Sequence, residues 1–455
     1  MLGAYASKDP ARFHMPGHKG RGMGGYWRGD LVRWDVTELA DTDNLHAPSQ
    51  SILRAQQYMA EAYGARASFF VVNGGSAAVQ AMLLSLAPGE RLLLSRDAHR
   101  CAVSGVSLRG LHVDYILPEY DETAALWGMV TPEALDRRLC ETGATAVLIT
   151  SPNYYGFCAD IAGLSRVAHA HGALLLVDAA HGAHFPFSEL LPTPLAGYAD
   201  MWAHSQHKTM DALTQAASLH LGDCRVAPET VQRMLALIET SSPSYLLMSS
   251  LDWSVYMARR QDWSGQVRRM DALRTRLSAI PGVTLLPGHI GAGVLERDRT
   301  RLVLDVTQRG LTGFAAEQLL NRMGVYCEMA DLERLVLITS PEDDPAWYTR
   351  LTNALIALPM GKPLTRARTA PPEWEKPLFA VDMRAATFAA QESIALADAA
   401  ERIAGEPVGV YPPGIALAMP GERFTPAILR HLIAQQAAGA HLFGVRDGNV
   451  WAVRE

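Results

Sequence analysis

Cysteine is scarce in this chain, with five residues among 455, at positions 101, 140, 158, 224 and 327. Their number is odd, their spacing is wide and no CxxC pair occurs, which argues against a disulfide scaffold or a zinc ribbon. No uncharged apolar run reaches about 20 residues, and the N-terminus lacks the apolar core of a signal peptide. We therefore expect a cytoplasmic protein of a reducing compartment, without membrane partners.

A basic surface is also missing. Lys and Arg number 41 against 47 Asp and Glu, which gives a formal net charge of −6 and a pI of about 6.2. Nucleic-acid binders need a basic footprint, so we expect no nucleic-acid partner. Hydrophobic residues make up 49% of the chain and charged residues 19%, which is the balance of a globular protein rather than a disordered one.

Apolar runs and helical patterns alternate along the first half of the chain. The spacing in Ser51–Tyr63 predicts a helix that ends at Gly64. Beyond it, continuously apolar runs separated by helical stretches predict an α/β fold, a mainly parallel sheet covered on both faces. The predicted strands are 68–72, 91–94, 146–149, 174–177 and 201–203, with helices such as 77–86 and 161–171 between them.

The pattern changes after about residue 250. The sequence predicts one long amphipathic helix over 256–280, then strands at 301–306 and 335–339 around a helix at 314–323. This alternation predicts a second, smaller α+β domain. We divide the chain into an N-terminal arm, a large domain and a small C-terminal domain, at residues 1–48, 49–285 and 286–455.

Three loops after predicted strands carry candidate chemistry, because ligands of open parallel sheets bind beyond the carboxyl ends of the strands. Small residues and a helix N-terminus around Ser76 suit a phosphate. Asp178 ends an apolar run, where a buried carboxylate needs a cationic partner. Lys208 follows another run, and a buried amine is poorly tolerated there unless it is consumed as an imine.

Together these loops meet the needs of pyridoxal 5′-phosphate: an anchored phosphate, a carboxylate for the pyridinium nitrogen and an amine for the aldehyde. His99 could stack on the ring. The plainer alternatives are a structural glycine turn, a helix-capping Asp178, a solvated Lys208 and a solvated turn histidine. A competing interpretation is a zinc centre. The ligands of the zinc would come from Asp178, His181, His184, His204 and His207. Because a zinc centre does not explain Lys208, we assign no metal ligands.

The stretch Ser205-Gln206-His207-Lys208, followed by Thr214-Gln215-Ala216-Ala217, resembles the pyridoxal-lysine signature of the bacterial ornithine/lysine/arginine decarboxylases. These are fold-type-I pyridoxal-phosphate enzymes with the aspartate-aminotransferase architecture. The likeness covers nearly the whole chain and is to the short form of the family, without a receiver-like domain. Further segments similar to the family, in family order, are 13–20, 35–48, 178–187, 241–252 and 411–422.

The resemblance implies roles for individual residues. Lys208 would hold the cofactor covalently, Asp178 would pair with the pyridine nitrogen and His99 would stack on the ring, and these three are the predicted catalytic residues. The phosphate would be held by Ser76, Ser205 and His207. The complete predicted cofactor-binding set is Gly75, Ser76, Ala77, His99, Asp178, Ala180, His181, Ser205, His207 and Lys208.

The resemblance also implies decarboxylation of lysine, arginine or ornithine, in polyamine biosynthesis. Departures from the family pattern leave the substrate open: Asp211 stands where a small residue is usual, Ala179 replaces a glutamate, and Gly75, Ala77 and Ala78 replace hydroxyl residues. A carboxylate near a phosphate dianion is unfavourable, so Asp211 should point away or have a cationic partner. The alternatives are an aminotransferase or another pyridoxal-phosphate lyase on a different amino acid, and a non-catalytic regulatory paralogue.

The arm at 1–48 is too polar to form a core of its own. Fold-type-I enzymes place the active site at a two-fold subunit interface, so we predict a homodimer or a higher homo-oligomer. In it, the arm and the loop around Tyr245 would complete the neighbour's pocket. The alternative is that residues 17–25 form a flexible surface loop on their own subunit.

Overall fold

The computed structural model describes residues 8–21, 31–286, 291–364, 379–411 and 414–454. Parts of the predicted arm, and residues 412–413 of the family-like segment 411–422, lie outside these ranges. Within them, no helix combines the length and the apolar character that crossing a lipid bilayer requires.

A seven-stranded sheet, called the main sheet below, organises the first half of the chain. Six strands run parallel, and Ala217–Leu221 runs antiparallel to both of its neighbours. All five predicted strands are present within one residue of their expected ends, and the predicted α/β class is confirmed. From one edge to the other, the strands are Ala67–Val71, Ala217–Leu221, Met201–His204, Leu174–Asp178, Ala146–Thr150, Arg91–Ser95 and His112–Ile116.

Both faces of the main sheet are buried. In the inner strand Ala146–Thr150, Val147 and Ile149 pack into one hydrophobic cluster, while Ala146 and Leu148 pack into another on the opposite face. Side chains of a strand alternate between its faces, so a strand that is apolar throughout needs cover on both sides. The α-helices of the described ranges are Leu31–Trp34, Ser51–Tyr63, Gly74–Leu84, Arg100–Arg109, Pro132–Thr142, Ile161–Ala170, Gln206–Thr209, Pro228–Ile238, Tyr245–Ala258, Trp263–Leu277, Gly313–Arg322, Pro345–Ala357, Met383–Phe388 and Pro426–Ala437.

The prediction of one long helix over 256–280 is wrong. The structure has two helices there, Tyr245–Ala258 and Trp263–Leu277. The break lies at Asp262, whose carboxylate accepts the Gly265 backbone N–H at 2.7 Å and caps the second helix. A Cβ at Gly265 would collide with that carboxylate, so glycine permits the cap. The helical spacing of apolar residues continues across the break, but the local cap decides where the helix starts.

A second, four-stranded antiparallel sheet follows. It contains the two strands predicted for this region, and the predicted helix is Gly313–Arg322. Its strands, in order, are Thr284–Leu285, Arg301–Asp305, Arg334–Ile338 and Met329–Ala330. The C-terminal part has two three-stranded sheets, Gln391–Ala395 with Asn449–Val453 and Val445–Arg446, and Ile415–Ala418 with Val408–Tyr411 and His441–Phe443.

The remaining strands of the described ranges form three two-stranded sheets. They are Ala11–Phe13 with Val325–Cys327, Phe157–Cys158 with Glu296–Arg297, and Tyr120–Asp121 with Leu126–Trp127.

The described part of the arm packs on its own chain. Ala11–Phe13 pairs in parallel with Val325–Cys327, beside the second sheet. The buried Lys19 Nζ donates to the carbonyl oxygens of His14 and Ile338, at 2.9 Å each. Residues 8–21 are therefore built into the fold, and whether the arm also reaches a neighbouring subunit stays a prediction.

Candidate active site

A cavity of about 680 Å³ opens at the carboxyl ends of the parallel strands. Ala77, also predicted to bind the cofactor, does not line this cavity, because its side chain is buried in a hydrophobic cluster of the helix Gly74–Leu84; its contact with the cofactor stays a prediction. The other predicted site residues all line this cavity: Gly75, Ser76, His99, Asp178, Ala180, His181, Ser205, His207 and Lys208.

One end of the cavity is shaped by the start of the helix Gly74–Leu84. A Cβ at Gly75 would collide with Ser205 Oγ, so the glycine lets two loops from distant parts of the sequence touch. Helix N-termini present unpaired N–H groups and a favourable dipole to anions. Ser76 and Ser205 both line this end of the cavity, which is therefore suited to a phosphate.

Asp178 and Lys208 form the polar floor. Asp178 ends the strand Leu174–Asp178, is 7% exposed, and accepts the Ala180 backbone N–H at 3.2 Å. Burial raises the pKa of Asp178, and the positive charge of Lys208 opposes that rise. Burial lowers the pKa of Lys208, against the opposing effect of Asp178. A charged Asp178 and a charged Lys208 would each stabilise the other's charge, whereas burial favours the neutral form of both groups.

His99 caps the helix Arg100–Arg109, because the Cys101 backbone N–H donates to its Nδ1 at 3.3 Å. Burial, with the charges of Lys208 and Arg100, lowers the pKa of His99 to about 4. The ring is therefore neutral near pH 7, with its proton on Nε2. A neutral ring held by a backbone contact is suited to stacking rather than to acid catalysis.

His181 stands between two basic side chains, Lys208 and Arg301. Its Nε2 lies 3.0 Å from Lys208 Nζ, and its Nδ1 lies 3.3 Å from Arg301 Nη2. Burial, followed by the charges of Lys208 and Arg301, holds the pKa of His181 well below its usual range, so the ring is neutral. A guanidinium has donors only, so Nδ1 accepts from Arg301 and the single ring proton must sit on Nε2. That N–H points at Lys208 Nζ, which can accept it only as a neutral amine.

Arg301 and Tyr154 belong to this site, and sequence reasoning missed both. Arg301 is fully buried at the start of a strand of the second sheet and donates to the Tyr154 carbonyl oxygen at 3.0 Å. The Tyr154 ring packs against His181, with centroids 4.6 Å apart, and lies 5.7 Å from Lys208 Nζ. The available signal was an arginine heading an apolar run, the same kind of feature that singled out Lys208.

The C-terminal part closes one side of the cavity. Ile415 forms a backbone bridge with His99, and Arg96 donates to the carbonyl oxygens of Ala416 and Leu417 at 2.5 and 2.9 Å. Arg96 also pairs with Glu422 at 3.0 Å, with both side chains 4% exposed. Nothing in the sequence pattern pointed to this contact. The C-terminal residues that line the cavity are Val410, Tyr411, Ile415, Leu417, His431 and Gln435.

A neighbouring cavity of about 440 Å³ carries acidic and aromatic groups. It shares Met15, Tyr154 and Tyr411 with the first cavity, and Glu328 and Glu317 lie in its wall. Glu328 Oε2 accepts the Met15 backbone N–H at 2.9 Å.

The negative charge of Glu328 also affects Lys208. It raises the pKa of Lys208, while burial lowers that pKa by a larger amount. The acidic wall therefore lies within electrostatic reach of the amine.

The competing zinc centre is not assembled by the described residues. Each of its histidines has a separate partner. His181 contacts Lys208, His184 contacts Asp298, His204 contacts His220, and His207 contacts the Ala216 carbonyl oxygen.

Asp211, the residue that departs from the family signature, is buried away from the cavity walls. Its Oδ2 accepts the Trp253 indole N–H at 3.0 Å. Asp211 is therefore not a lining residue of the cavity, and whether it points away from a bound phosphate or has a cationic partner stays a prediction.

Comparisons with known proteins agree with this geometry. The family model for the Orn/Lys/Arg decarboxylase major domain matches residues 1–286, and the model for the Orn/Lys/Arg decarboxylase C-terminal domain matches residues 379–447. An arginine decarboxylase of Bacillus subtilis is 33% identical over 470 residues, which is 100% of this chain and 96% of that protein. An arginine decarboxylase of Halalkalibacterium halodurans is 32% identical, over 99% of this chain and 95% of its own length.

Solved structures support the fold. The constitutive lysine decarboxylase of Escherichia coli superposes with a TM-score of 0.77 at 17% identity, over 97% of this chain and 79% of its own. An alanine–glyoxylate aminotransferase from Nostoc reaches a TM-score of 0.53 at 16% identity, over 67% of this chain and 85% of its own. On the strength of the family models and the full-length relatives, this chain belongs to the Orn/Lys/Arg decarboxylase family.

Proposed function

We propose that the protein decarboxylates a basic amino acid with pyridoxal 5′-phosphate, and that arginine is the preferred substrate. The observation that carries the proposal is the position of Lys208, which faces Asp178 and His181 at the floor of the main cavity. The full-length relatives named above are arginine decarboxylases, which supports arginine over lysine and ornithine.

The residues fit the cofactor. Its phosphate suits the helix N-terminus beside Gly75, where only the absence of a side chain leaves room for Ser205 Oγ. Its pyridinium N–H suits the buried carboxylate of Asp178, whose raised pKa shows that a cation beside it would be stabilising. Its aldehyde suits the amine of Lys208. When bound, the cofactor supplies an electron-accepting ring that stabilises the negative charge left at Cα as carbon dioxide departs.

Two histidines prepare the site for that chemistry. Arg301 keeps the His181 proton on Nε2, and this N–H keeps Lys208 Nζ in its neutral, nucleophilic form. His99 provides a flat, neutral wall. The neutral Lys208 amine can take up the proton that the substrate's ammonium group loses when it joins the cofactor. After carbon dioxide leaves, one proton must be added at Cα, and the protonated Lys208 Nζ, beside His181, is the group placed to return it.

The carboxylate of Glu328, in the neighbouring cavity, orients the substrate. A guanidinium carries a delocalised positive charge and pairs well with carboxylates and aromatic faces. Glu328 offers a carboxylate in the cavity that adjoins the lysine, and Tyr154 lies at the boundary of the two cavities. We therefore place the distal cation of the substrate toward Glu328 and its α-carboxylate toward the lysine.

The test is an assay of purified, cofactor-supplemented protein with arginine, lysine and ornithine, each with and without a keto acid. We expect carbon dioxide and the matching amine from arginine, independent of the keto acid, and no turnover by Lys208→Ala. Consumption of the keto acid without carbon dioxide would instead establish an aminotransferase. Protein that cannot take up the cofactor at all would support a regulatory paralogue.

The activity, assembly and location expected from the sequence also belong to this proposal. Decarboxylated arginine is a polyamine precursor, so we place the reaction in polyamine biosynthesis in the cytoplasm. We propose a homodimer, which light scattering tests directly, since a fully active monomer would refute it. The division of the chain at residues 48 and 285 likewise stays a prediction.

A further inference from the structure

Three metal-binding side chains meet at the protein surface, outside both cavities. Asp136 and Cys140 lie on the helix Pro132–Thr142, and His171 follows the helix Ile161–Ala170. One ligand atom of each, a carboxylate oxygen, the thiol sulfur and an imidazole nitrogen, lies within 4.8 Å of the other two. None of the three lines the active-site cavity, so the proposed reaction does not account for the group.

The backbone sets up this arrangement. Asp136 and Cys140 are four residues apart on one helix, which places their side chains on the same face. His171 is anchored as the residue that ends its helix, with its N–H donating to the carbonyl oxygens of Val167 and Ala168 at 3.3 and 3.1 Å. His171 Nε2 already lies 2.8 Å from Asp136 Oδ1. Two of the three ligands are therefore in contact, and the exposed, unbridged thiol of Cys140 completes the set.

We propose that Asp136, Cys140 and His171 bind a zinc ion, with water in the fourth position, and that the ion joins the two helices. Thiolate, imidazole and carboxylate together form a donor set that suits zinc and disfavours magnesium and calcium. From zinc's bond lengths, donors around a tetrahedral ion stand roughly 3.3 to 3.6 Å apart. Small side-chain rotations would bring the three ligand atoms to that spacing.

Binding requires two proton changes. The Cys140 thiol loses its proton to solvent, and the hydrogen that links His171 Nε2 to Asp136 leaves Nε2, so that the ring keeps one proton on Nδ1 and the Nε2 lone pair is free for the metal. The metal ion thereby replaces the hydrogen that now links His171 to Asp136.

The experiment titrates purified, cofactor-loaded protein with Co²⁺, a spectroscopic substitute, and then with Zn²⁺ in competition with a chromophoric chelator. We expect one ion per chain, with the visible bands of a tetrahedral thiolate-bound cobalt. Cys140→Ser and His171→Ala should each weaken zinc binding at least about tenfold, since even outer-shell partners of a metal are worth roughly 10- to 100-fold. Zinc should also raise the melting temperature of the wild type and leave that of Cys140→Ser unchanged.

Matched controls come from the same chain. His169 pairs with Asp200 at 2.9 Å as another histidine–carboxylate contact, and Cys224 is a second partly exposed thiol. His169→Ala and Cys224→Ser should bind zinc as the wild type does. Because the proposed ligands are exposed, their variants are expected to fold, and Asp136→Asn gives a third test that leaves both soft ligands in place. An absence of stoichiometric binding, or equal binding by all variants, would overturn the proposal.

Discussion

Replacing Arg301 tests the inference that this residue sets the protonation of Lys208, the proposed catalytic lysine. In Arg301→Met, His181 Nδ1 loses its donor and the ring proton can move from Nε2 to Nδ1. The Nε2 lone pair then accepts from a protonated Lys208 instead of donating to a neutral one. The variant also removes a positive charge that lowers the pKa of Lys208. Both changes act in the same direction and raise that pKa.

The size of the effect follows from the hydrogen bonds involved. A hydrogen bond to a charged group contributes about 1.5 to 3 kcal/mol, which corresponds to roughly one to two pKa units. At a pH below both pKa values, the neutral fraction of Lys208 should therefore be about 10- to 100-fold lower in the variant. The rate at which apoprotein captures pyridoxal 5′-phosphate depends on that fraction, and it is measured by absorbance without any turnover.

We expect the pH profile of capture in Arg301→Met to shift upward by at least about one unit and to approach the wild-type rate at high pH. Arg301→Lys, which keeps the charge and a donor, is the matched control and should lie close to the wild type. Removing a buried ionic partner also costs about 3 to 5 kcal/mol of stability, so the folded fraction is checked by denaturant unfolding. A profile unchanged in the Met variant, or shifted equally in both variants, would refute the reasoning.

Three other perturbations have defined outcomes. Glu328→Gln should raise KM for arginine about 10- to 100-fold, because it removes a charged hydrogen bond, and steady-state kinetics that show an unchanged KM would contradict this role. Glu422→Gln should lower the free energy of unfolding by about 3 kcal/mol, because the buried Arg96 loses its carboxylate partner. An unchanged denaturant midpoint would contradict this prediction. Burial raises the pKa of Glu239 to about 7, so the native state holds a proton that the unfolded state releases between pH 4.5 and 7, and stability falls as pH rises through that window. In Glu239→Gln, the change in the free energy of unfolding across this pH window should be smaller than in the wild type by up to about 3 kcal/mol. The amide oxygen of the glutamine can still accept the Val72 N–H. Unfolding titrations that show the same pH dependence in both proteins would show that Glu239 is not its source.

Local patterning was enough to locate most of the helices and strands. The helix Ser51–Tyr63 ends at Gly64, whose φ of 61° is the left-handed conformation that glycine adopts without strain. The strand Ala217–Leu221 was missed because two polar residues interrupt it. Its buried Ser218 and His220 hydrogen-bond to each other and to side chains such as Ser68 and Gln206, which come from elsewhere in the chain. No periodicity within a short window reveals such distant partners.

The candidate site divides in a similar way. Asp178, His99 and Lys208 could be found because each follows a strand whose end the topology of a parallel sheet places in one crevice. Arg301, Tyr154 and the acidic wall could not, since their role depends on how the second sheet and the C-terminal part dock against that crevice.

By itself, the sequence determined the α/β class, the family and the strand-end residues of the floor, because short-range hydrophobic spacing and motif order encode them. Only the tertiary structure decided which ring nitrogen of His181 faces Arg301, that a cavity lined by Glu317 and Glu328 adjoins the main cavity, and which side chains from two helices meet at the surface. These properties depend on a few ångströms between groups that are far apart in the chain, and that spacing is set by packing rather than by local sequence.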